Sequence, residues 1–309
     1  MKNVASILFF ALIALSSNAQ SNLFIPPLPE MSYAPVSDKS KFLGDRWSYM
    51  ESGNSNLLVI IAMHGYGGSS VDWRYQLHDL SDTYRVIAWN APGYMLTDEL
   101  KTNYPTAKDY ADALLDFMNT LKLEKVYLAG NSFGSRIAQS FAYYYSDKVI
   151  KMALVGPSAG KRNISFEERV RYTNSRYDQI KDGPYAFANK RVEALLAPNT
   201  SPELIELARK GMRGVNPSMF MKGVNFMLSE DHYPELIATK ATMPVLLIAG
   251  TEDKISPINI NAEPLSKNLK NAKVEILNNI GHLPHLEAPQ KVNKLMREFF
   301  GVAKPEKVK

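Results

Sequence analysis

Ser132 sits in the pentapeptide Gly130-Asn131-Ser132-Phe133-Gly134, where its hydroxyl could attack a carbonyl carbon. At its own pKa a serine hydroxyl is a weak nucleophile. It needs a base within hydrogen-bond reach and an acid that orients the base. The chain offers five histidines as bases: His64, His78, His232, His282 and His285. His282 lies in Asn279-Ile280-Gly281-His282-Leu283-Pro284, just past an apolar stretch, and is the leading base; His285 is the alternative. His64 is followed by Gly65, Tyr66, Gly67 and Gly68 and reads as a residue that shapes a glycine-rich loop. His78 and His232 have no evident partner. The acid is sought in Gly250-Thr251-Glu252-Asp253-Lys254, where Asp253 is preferred and Glu252 is its near competitor. An acidic turn of this kind can also do no more than cap the next helix.

These groups work together only if chain elements bring them to one place. Residues 126–129 form an apolar, β-favouring run, and Ile137, Ala138, Phe141 and Ala142 recur at helical spacing. Ser132 therefore falls on a tight turn between a strand and a helix, with Gly130 and Gly134 leaving room beside it. Residues 57–63 and 244–250 are continuous apolar runs, and 85–89 and 149–155 are apolar apart from Arg85 and Lys151, as strands buried on both faces would be. Residues 46–51 and 272–277 read as further strands. Residues 106–121, 257–269 and 287–300 read as helices, the first capped by Thr106. Between residues 158 and 242 the alternation stops and the pattern is helical, over 166–177, 185–196, 202–212 and 217–228. The expected fold is α/β: a mostly parallel, doubly wound sheet with a helical lid inserted after the sixth strand. The lid (158–242) divides a core made of residues 45–157 and 243–303, and such an insertion lies over the carboxyl ends of the strands.

Composition narrows the class. Apolar residues make up 45% and charged residues 22% of 309, enough for a sizeable globular core. The net charge of +5 is dispersed, without the basic stripe that nucleic acid requires, so no nucleic-acid partner is expected. Residues 1–19 read as a secretory signal: Lys2, an apolar run over 4–15 too short to span a membrane, and Ser17-Asn18-Ala19 before a cut at Gln20. The protein is accordingly expected to be exported, periplasmic or secreted, with residues 20–44 as an extended, proline-bearing arm and no stable membrane span after processing. The absence of cysteine excludes disulfides, thiolate metal sites and a cysteine nucleophile. Asn163 and Asn199 match the glycosylation pattern, which has meaning only in a eukaryotic secretory route.

The order Ser132, Asp253, His282 is the order of an α/β-hydrolase. From about residue 45 to 300 the chain resembles the capped α/β-hydrolases, which include carboxylesterases and carbon–carbon-bond hydrolases. The resemblance rests on His64-Gly65-Tyr66-Gly67, Gly130-Asn131-Ser132-Phe133-Gly134, Gly250-Thr251-Glu252-Asp253 with Pro257, and Gly281-His282-Leu283-Pro284 with Glu287 and Pro289. It implies that the backbone N–H groups of Tyr66 and Phe133 form an oxyanion hole, fixed donors for the negative charge of a tetrahedral intermediate. The Tyr66 ring is expected to pack beneath the lid. Two positions depart from the family pattern. Asn90 and Met95 stand where relatives often carry aspartate and glycine, which puts the geometry of that loop in question. Leu283 stands where carbon–carbon-bond hydrolases commonly carry tryptophan. Dehalogenases and epoxide hydrolases use aspartate at the position of Ser132.

The resulting expectation is a serine esterase for a small-molecule substrate with an apolar acyl or alcohol part, using no metal and no organic cofactor. The alternatives are a carbon–carbon-bond hydrolase with the same residues and a hydrolase-fold binding protein with little turnover. Tyr172, Tyr177, Tyr185, Phe187, Phe220, Met221, Phe226 and Met227 supply the lid's apolar surface; most of them must form its own core.

Overall fold

The computed structural model describes residues 23–229 and 231–301, so the expected signal segment and residues 302–309 lie outside the described residues. The strands are β1 (Met31–Pro35), β2 (Arg46–Ser52), β3 (Val59–Met63), β4 (Arg85–Trp89), β5 (Val126–Ser132), β6 (Val149–Pro157), β7 (Val245–Gly250) and β8 (Ala272–Leu277). They form one eight-stranded sheet in the order β1-β2-β4-β3-β5-β6-β7-β8. Pairing is parallel from β4 through β8, and antiparallel where β2 meets β1 and β4.

Every residue of β3, β5 and β7 is buried, which is why these strands read as unbroken apolar runs. Alternate side chains feed two cores. Ile61, Ile87, Leu128, Leu154 and Leu247 enter one, and Ile60, Val86, Tyr127, Ala153 and Leu246 enter the other. Each fully buried branched side chain contributes roughly 1.5–3 kcal/mol relative to an exposed one. β8, an edge strand, keeps Val274 and Ile276 partly exposed, with Lys273 and Glu275 joined across its surface.

The helices are α1 (Arg74–Asp79), α2 (Ala107–Thr120), α3 (Phe133–Tyr144), α4 (Phe166–Ile180), α5 (Pro184–Leu195), α6 (Pro202–Met212), α7 (Pro217–Met227), α8 (Pro234–Ala238), α9 (Ala262–Asn268), α10 (Pro284–Glu287) and α11 (Pro289–Phe300). α2 begins with a capping box, Thr106 accepting from the Asp109 amide while the Asp109 carboxylate accepts from the Thr106 amide. α4 to α8 all fall between β6 and β7, within the stretch where the alternation stops.

Three local expectations change. The arm contains strand β1, hidden in the sequence because prolines flank it; an edge strand tolerates them. The arm is also held on α2, where Asp116 accepts from the amides of Ser37 and Asp38 and from Trp47 Nε1. The helix expected over 257–269 is shorter: a 3₁₀ turn covers Ile258–Ile260, and α9 starts only after Asn261. Asn261 breaks it because its side chain is diverted, accepting from the Ala159 amide and donating to the Pro257 carbonyl. The helix expected over 287–300 starts only at Pro289, as α11; Glu287 ends the separate short helix α10, and Ala288, before the proline, parts the two.

Strand order fixes where a site can form. From β3 the chain moves outward to β4, then returns to the other side of β3 as β5. At that reversal Met63, the last residue of β3, pairs with Gly130 of β5. The loops leaving both strands therefore diverge above one crevice, the usual ligand position of an open α/β sheet.

Candidate active site

Ser132 ends β5 and caps α3 with φ +50° and ψ −108°, a left-handed backbone for a non-glycine residue. The turn is this tight because neighbouring backbones touch it. A Cβ on Gly134 would lie 2.2 Å from the Met63 carbonyl oxygen, and one on Gly130 would lie 2.5 Å from the Gly134 oxygen. Ser135 holds the turn from within: its hydroxyl donates to the Ser132 carbonyl at 2.6 Å and accepts from the Ser158 amide at 3.0 Å.

His282 and Asp253 meet in the next loops along the sheet edge. His282 Nδ1 lies 2.8 Å from Asp253 Oδ2, and both residues are buried. Asp253 Oδ1 accepts from the amides of Ile255 and Ser256 at 2.9 and 2.7 Å. Burial alone raises the Asp253 carboxyl. The His282 ring and the amides of Ser256 and Ile255 outweigh that and hold it below the usual carboxylate range. Glu252, the competing acid, is only partly buried and contributes its amide to the Ile280 carbonyl. Of the two carboxylates, it is Asp253 that meets His282. Ser132 and His282 line one small cavity together with Tyr66, Asp72, Arg191 and Met212.

The remaining histidines are occupied elsewhere. His64 Nδ1 lies 2.9 Å from the Gly65 carbonyl, and its Nε2 accepts from the Ala91 amide at 3.2 Å. Burial pushes its pKa down to about 4, so it is a neutral clip between the loops after β3 and β4. His285 stacks on Trp73 with ring centroids 4.6 Å apart, and burial lowers it to about 3. His232 is bonded through Nδ1 to Ser140, and His78 is paired with Asp79 at the surface.

Tyr66 follows the His64-Gly65 pair, and Phe133 supplies the first amide of α3, which has no intrahelical acceptor. Both sit where the loops from β3 and β5 adjoin. The Tyr66 ring packs beneath α7, 4.2 Å from Phe220 and 5.5 Å from Phe133, and its hydroxyl donates to the Phe220 carbonyl. In the loop after β4, Met95 adopts φ +50°, the backbone a glycine would take there without strain, so the loop keeps its left-handed turn despite the larger residue. Asn90, at the aspartate position, accepts from the Ser70 amide at 2.8 Å and donates to Ser48 Oγ.

Two residues that position the site were not assigned roles by the sequence. Asn131 Nδ2 donates to the carbonyls of Val155 and His282, both at 3.0 Å, binding the serine turn to the histidine loop. Nothing in a Gly-x-Ser-x-Gly pattern marks the residue before the serine for that task. Glu287 accepts from the amides of Gly281 and Leu283 on one side and of Ala197 on the other. With the His282 amide donating to the Leu195 carbonyl at 2.7 Å, this fastens the end of α5 to the histidine loop. Glu287 belonged to a recognisable motif, but its reach to residue 197 crosses 90 positions and leaves no local trace.

The lid aromatics divide. Phe187, Phe220 and Phe226 are fully buried in the core, Tyr177 and Tyr185 are exposed, and Tyr172 and Met227 line a cavity of about 510 Å³ that opens from Ser132.

A reversal-point crevice, a strained serine turn beside it and a buried acid–histidine pair define the architecture of an α/β-hydrolase. The chain belongs to that family: the profile described as alpha/beta hydrolase fold matches residues 59–289. Among its relatives is the putative 2-succinyl-6-hydroxy-2,4-cyclohexadiene-1-carboxylate synthase of Bacillus subtilis (strain 168), 27% identical over 83% of this chain and 95% of the relative. A 2-hydroxy-6-oxononadienedioate/2-hydroxy-6-oxononatrienedioate hydrolase of Burkholderia vietnamiensis is 25% identical over 82% and 90%. A thermophilic esterase from Thermogutta terrifontis has a similar fold, with TM-score 0.75, 23% identity and coverage of 88% and 98%. This protein is thus a member of a hydrolase superfamily, with a relative named as a hydrolase and a structural neighbour named as an esterase. No described helix is long and apolar enough to cross a membrane.

Proposed function

We propose that this protein is an exported serine hydrolase that cleaves a carboxylic ester through an acyl-enzyme. Ser132 attacks the ester carbonyl while His282 takes its proton. The tetrahedral oxyanion accepts hydrogen bonds from the Tyr66 and Phe133 amides. Collapse expels the alcohol, protonated by His282. Water, deprotonated by His282, then attacks the acyl-enzyme and releases the acid. Asp253 holds the imidazole with Nδ1–H toward itself, leaving Nε2 free for proton transfer. The observation that carries this reading is the His282–Asp253 bond of 2.8 Å, buried in the wall of the cavity onto which Ser132 opens. The body of the substrate packs on Tyr66, Tyr172, Met227, Leu228 and Ile255.

The same residues could cleave a carbon–carbon bond in a diketone, and the Burkholderia relative is named as the hydrolase of a 2-hydroxy-6-oxo dienedioate. Leu283, in place of the tryptophan common in those enzymes, favours the ester. A p-nitrophenyl ester series of increasing acyl length, run beside a vinylogous diketone, separates the two. The wild type is expected to turn over the esters with a preferred length, and Ser132→Ala is expected to lose that turnover. Comparable turnover by both proteins at every length, or cleavage of the diketone alone, overturns the ester reading. Export predicts a mature chain beginning at Gln20 in the mass spectrum of the cell-purified protein; a retained residue 1–19 segment contradicts it.

A further inference from the structure

The large cavity is not the apolar chamber that an ester with two plain hydrocarbon parts would require. Its wall carries Arg136, Lys161, Arg171, Arg176 and Arg191 against a single acid, Glu168. Glu168 is already committed: it accepts from the Ser165 amide at the start of α4 and faces Lys161 at 3.9 Å. Arg136 is committed too, donating to the Met227 and His232 carbonyls.

Arg176 and Arg191 are less engaged than Arg136, which shares their unpartnered Nε–H but donates to two carbonyls. Among the described residues neither forms an ion pair with a carboxylate. The Nε–H group of each is out of solvent and has no hydrogen-bond partner. Arg176 has one bond, to Gln179 Oε1 at 2.9 Å, and lies over the Tyr172 ring at 4.5 Å and the Tyr66 ring at 5.8 Å. Arg191 borders both the small cavity shared by Ser132 and His282 and the large one. Burial and the neighbouring Arg176 charge push Arg191 down to about 10, so Arg191 stays cationic at neutral pH despite that repulsion. Two half-buried like charges, each with an unpaired Nε–H, are stable together beside Ser132 when an anion lies between them.

We propose that Arg176 and Arg191 form a subsite for a carboxylate borne by the substrate's acyl part, so that the preferred ester is a half-ester of a short dicarboxylic acid. Planar guanidinium groups match a carboxylate through paired N–H donors, and the cavity has room for a short chain between that carboxylate and the ester carbonyl. The inference rests on the serine-hydrolase reading above.

The test compares p-nitrophenyl butyrate with mono-p-nitrophenyl glutarate on the wild type, Arg191→Gln, Arg191→Lys and Arg176→Gln. The wild type is expected to favour the glutarate ester in kcat/KM. Each glutamine variant is expected to lower the glutarate-to-butyrate ratio about ten- to a hundredfold, mainly through KM, which is what loss of a charge-assisted hydrogen bond gives. Arg191→Lys is expected to recover part of the ratio. Equal rates on the two esters in the wild type, or a ratio unchanged in both glutamine variants, overturns the subsite. Should no ester be turned over by the wild type, the serine reading fails separately, and the subsite is read by melting. Glutarate at constant ionic strength then raises the melting temperature of the wild type and not of Arg191→Gln; no rise in either overturns it.

Discussion

At the scale of single residues, the site depends on where protons and charges are held. Asp253 keeps its charge because two backbone amides and the histidine ring stabilise it against burial. Asp253→Asn preserves shape but reverses the hydrogen-bonding demand on His282 Nδ1, and kcat on an activated ester is expected to fall by about 10⁴-fold; a loss below tenfold contradicts the role. Asn131→Ala removes the donor that the Val155 and His282 carbonyls share in a buried place. Chemical denaturation is expected to register a loss of about 1–3 kcal/mol, accompanied by lower kcat. His64 and His285 are buried neutral, with folded pKa values near 4 and 3 against 6.5 unfolded. The unfolded chain therefore binds more protons than the folded one between about pH 6.5 and those values. Their contribution is complete above about pH 6.5 and is lost as the pH falls through that window. Asp72 has the opposite sign, its folded pKa lifted to about 6 chiefly by burial, so its contribution is complete below 3.8 and is lost as the pH rises through 6. Melting temperature against pH is expected to show a shallower acid decline in His285→Leu than in the wild type; parallel declines refute the assignment.

At the scale of elements, the serine turn and the histidine loop each rely on a close approach. Gly134→Ala sets a methyl group against the Met63 carbonyl, backbone that cannot move without parting β3 from β5. Loss of soluble folded protein or of all activity is expected, and a variant with normal kcat contradicts the packing. Glu287→Ala frees three amides and releases the end of α5 from the histidine loop. A decrease in kcat is expected, together with faster amide exchange in residues 195–200; unchanged exchange there overturns the link. The elements were legible in the sequence to differing degrees, for physical reasons. β3, β5 and β7 are buried on both faces, so their apolar runs identified them without help from neighbours. β1 was not legible, because an edge strand gains its identity from its partner and its prolines read as an arm. α9 was overestimated because Asn261 spends its side chain on a contact with residue 159, more than a hundred positions away.

At the scale of the whole molecule, the sheet's reversal between β4 and β5 explains why a serine, an acid and a histidine spread from residue 132 to 282 converge. All three leave carboxyl ends of parallel strands on the same edge. Chain order and strand-end position carry that placement, so Ser132, His282 and Asp253 could be grouped from sequence. The character of the cavity could not, because its wall is assembled from α3, α4, α5 and the loop after β7, and no single stretch records that the arginines of α4 and α5 face one space. The central claim concerns Ser132 and its base. The most direct measurement is intact-protein mass spectrometry after treatment with a fluorophosphonate, followed by peptide mapping. The wild type is expected to gain one adduct, mapped to Ser132, with labelling slowed severalfold or more in His282→Ala and absent in Ser132→Ala. A folded wild type that remains unlabelled, or equal labelling in Ser132→Ala, contradicts the account.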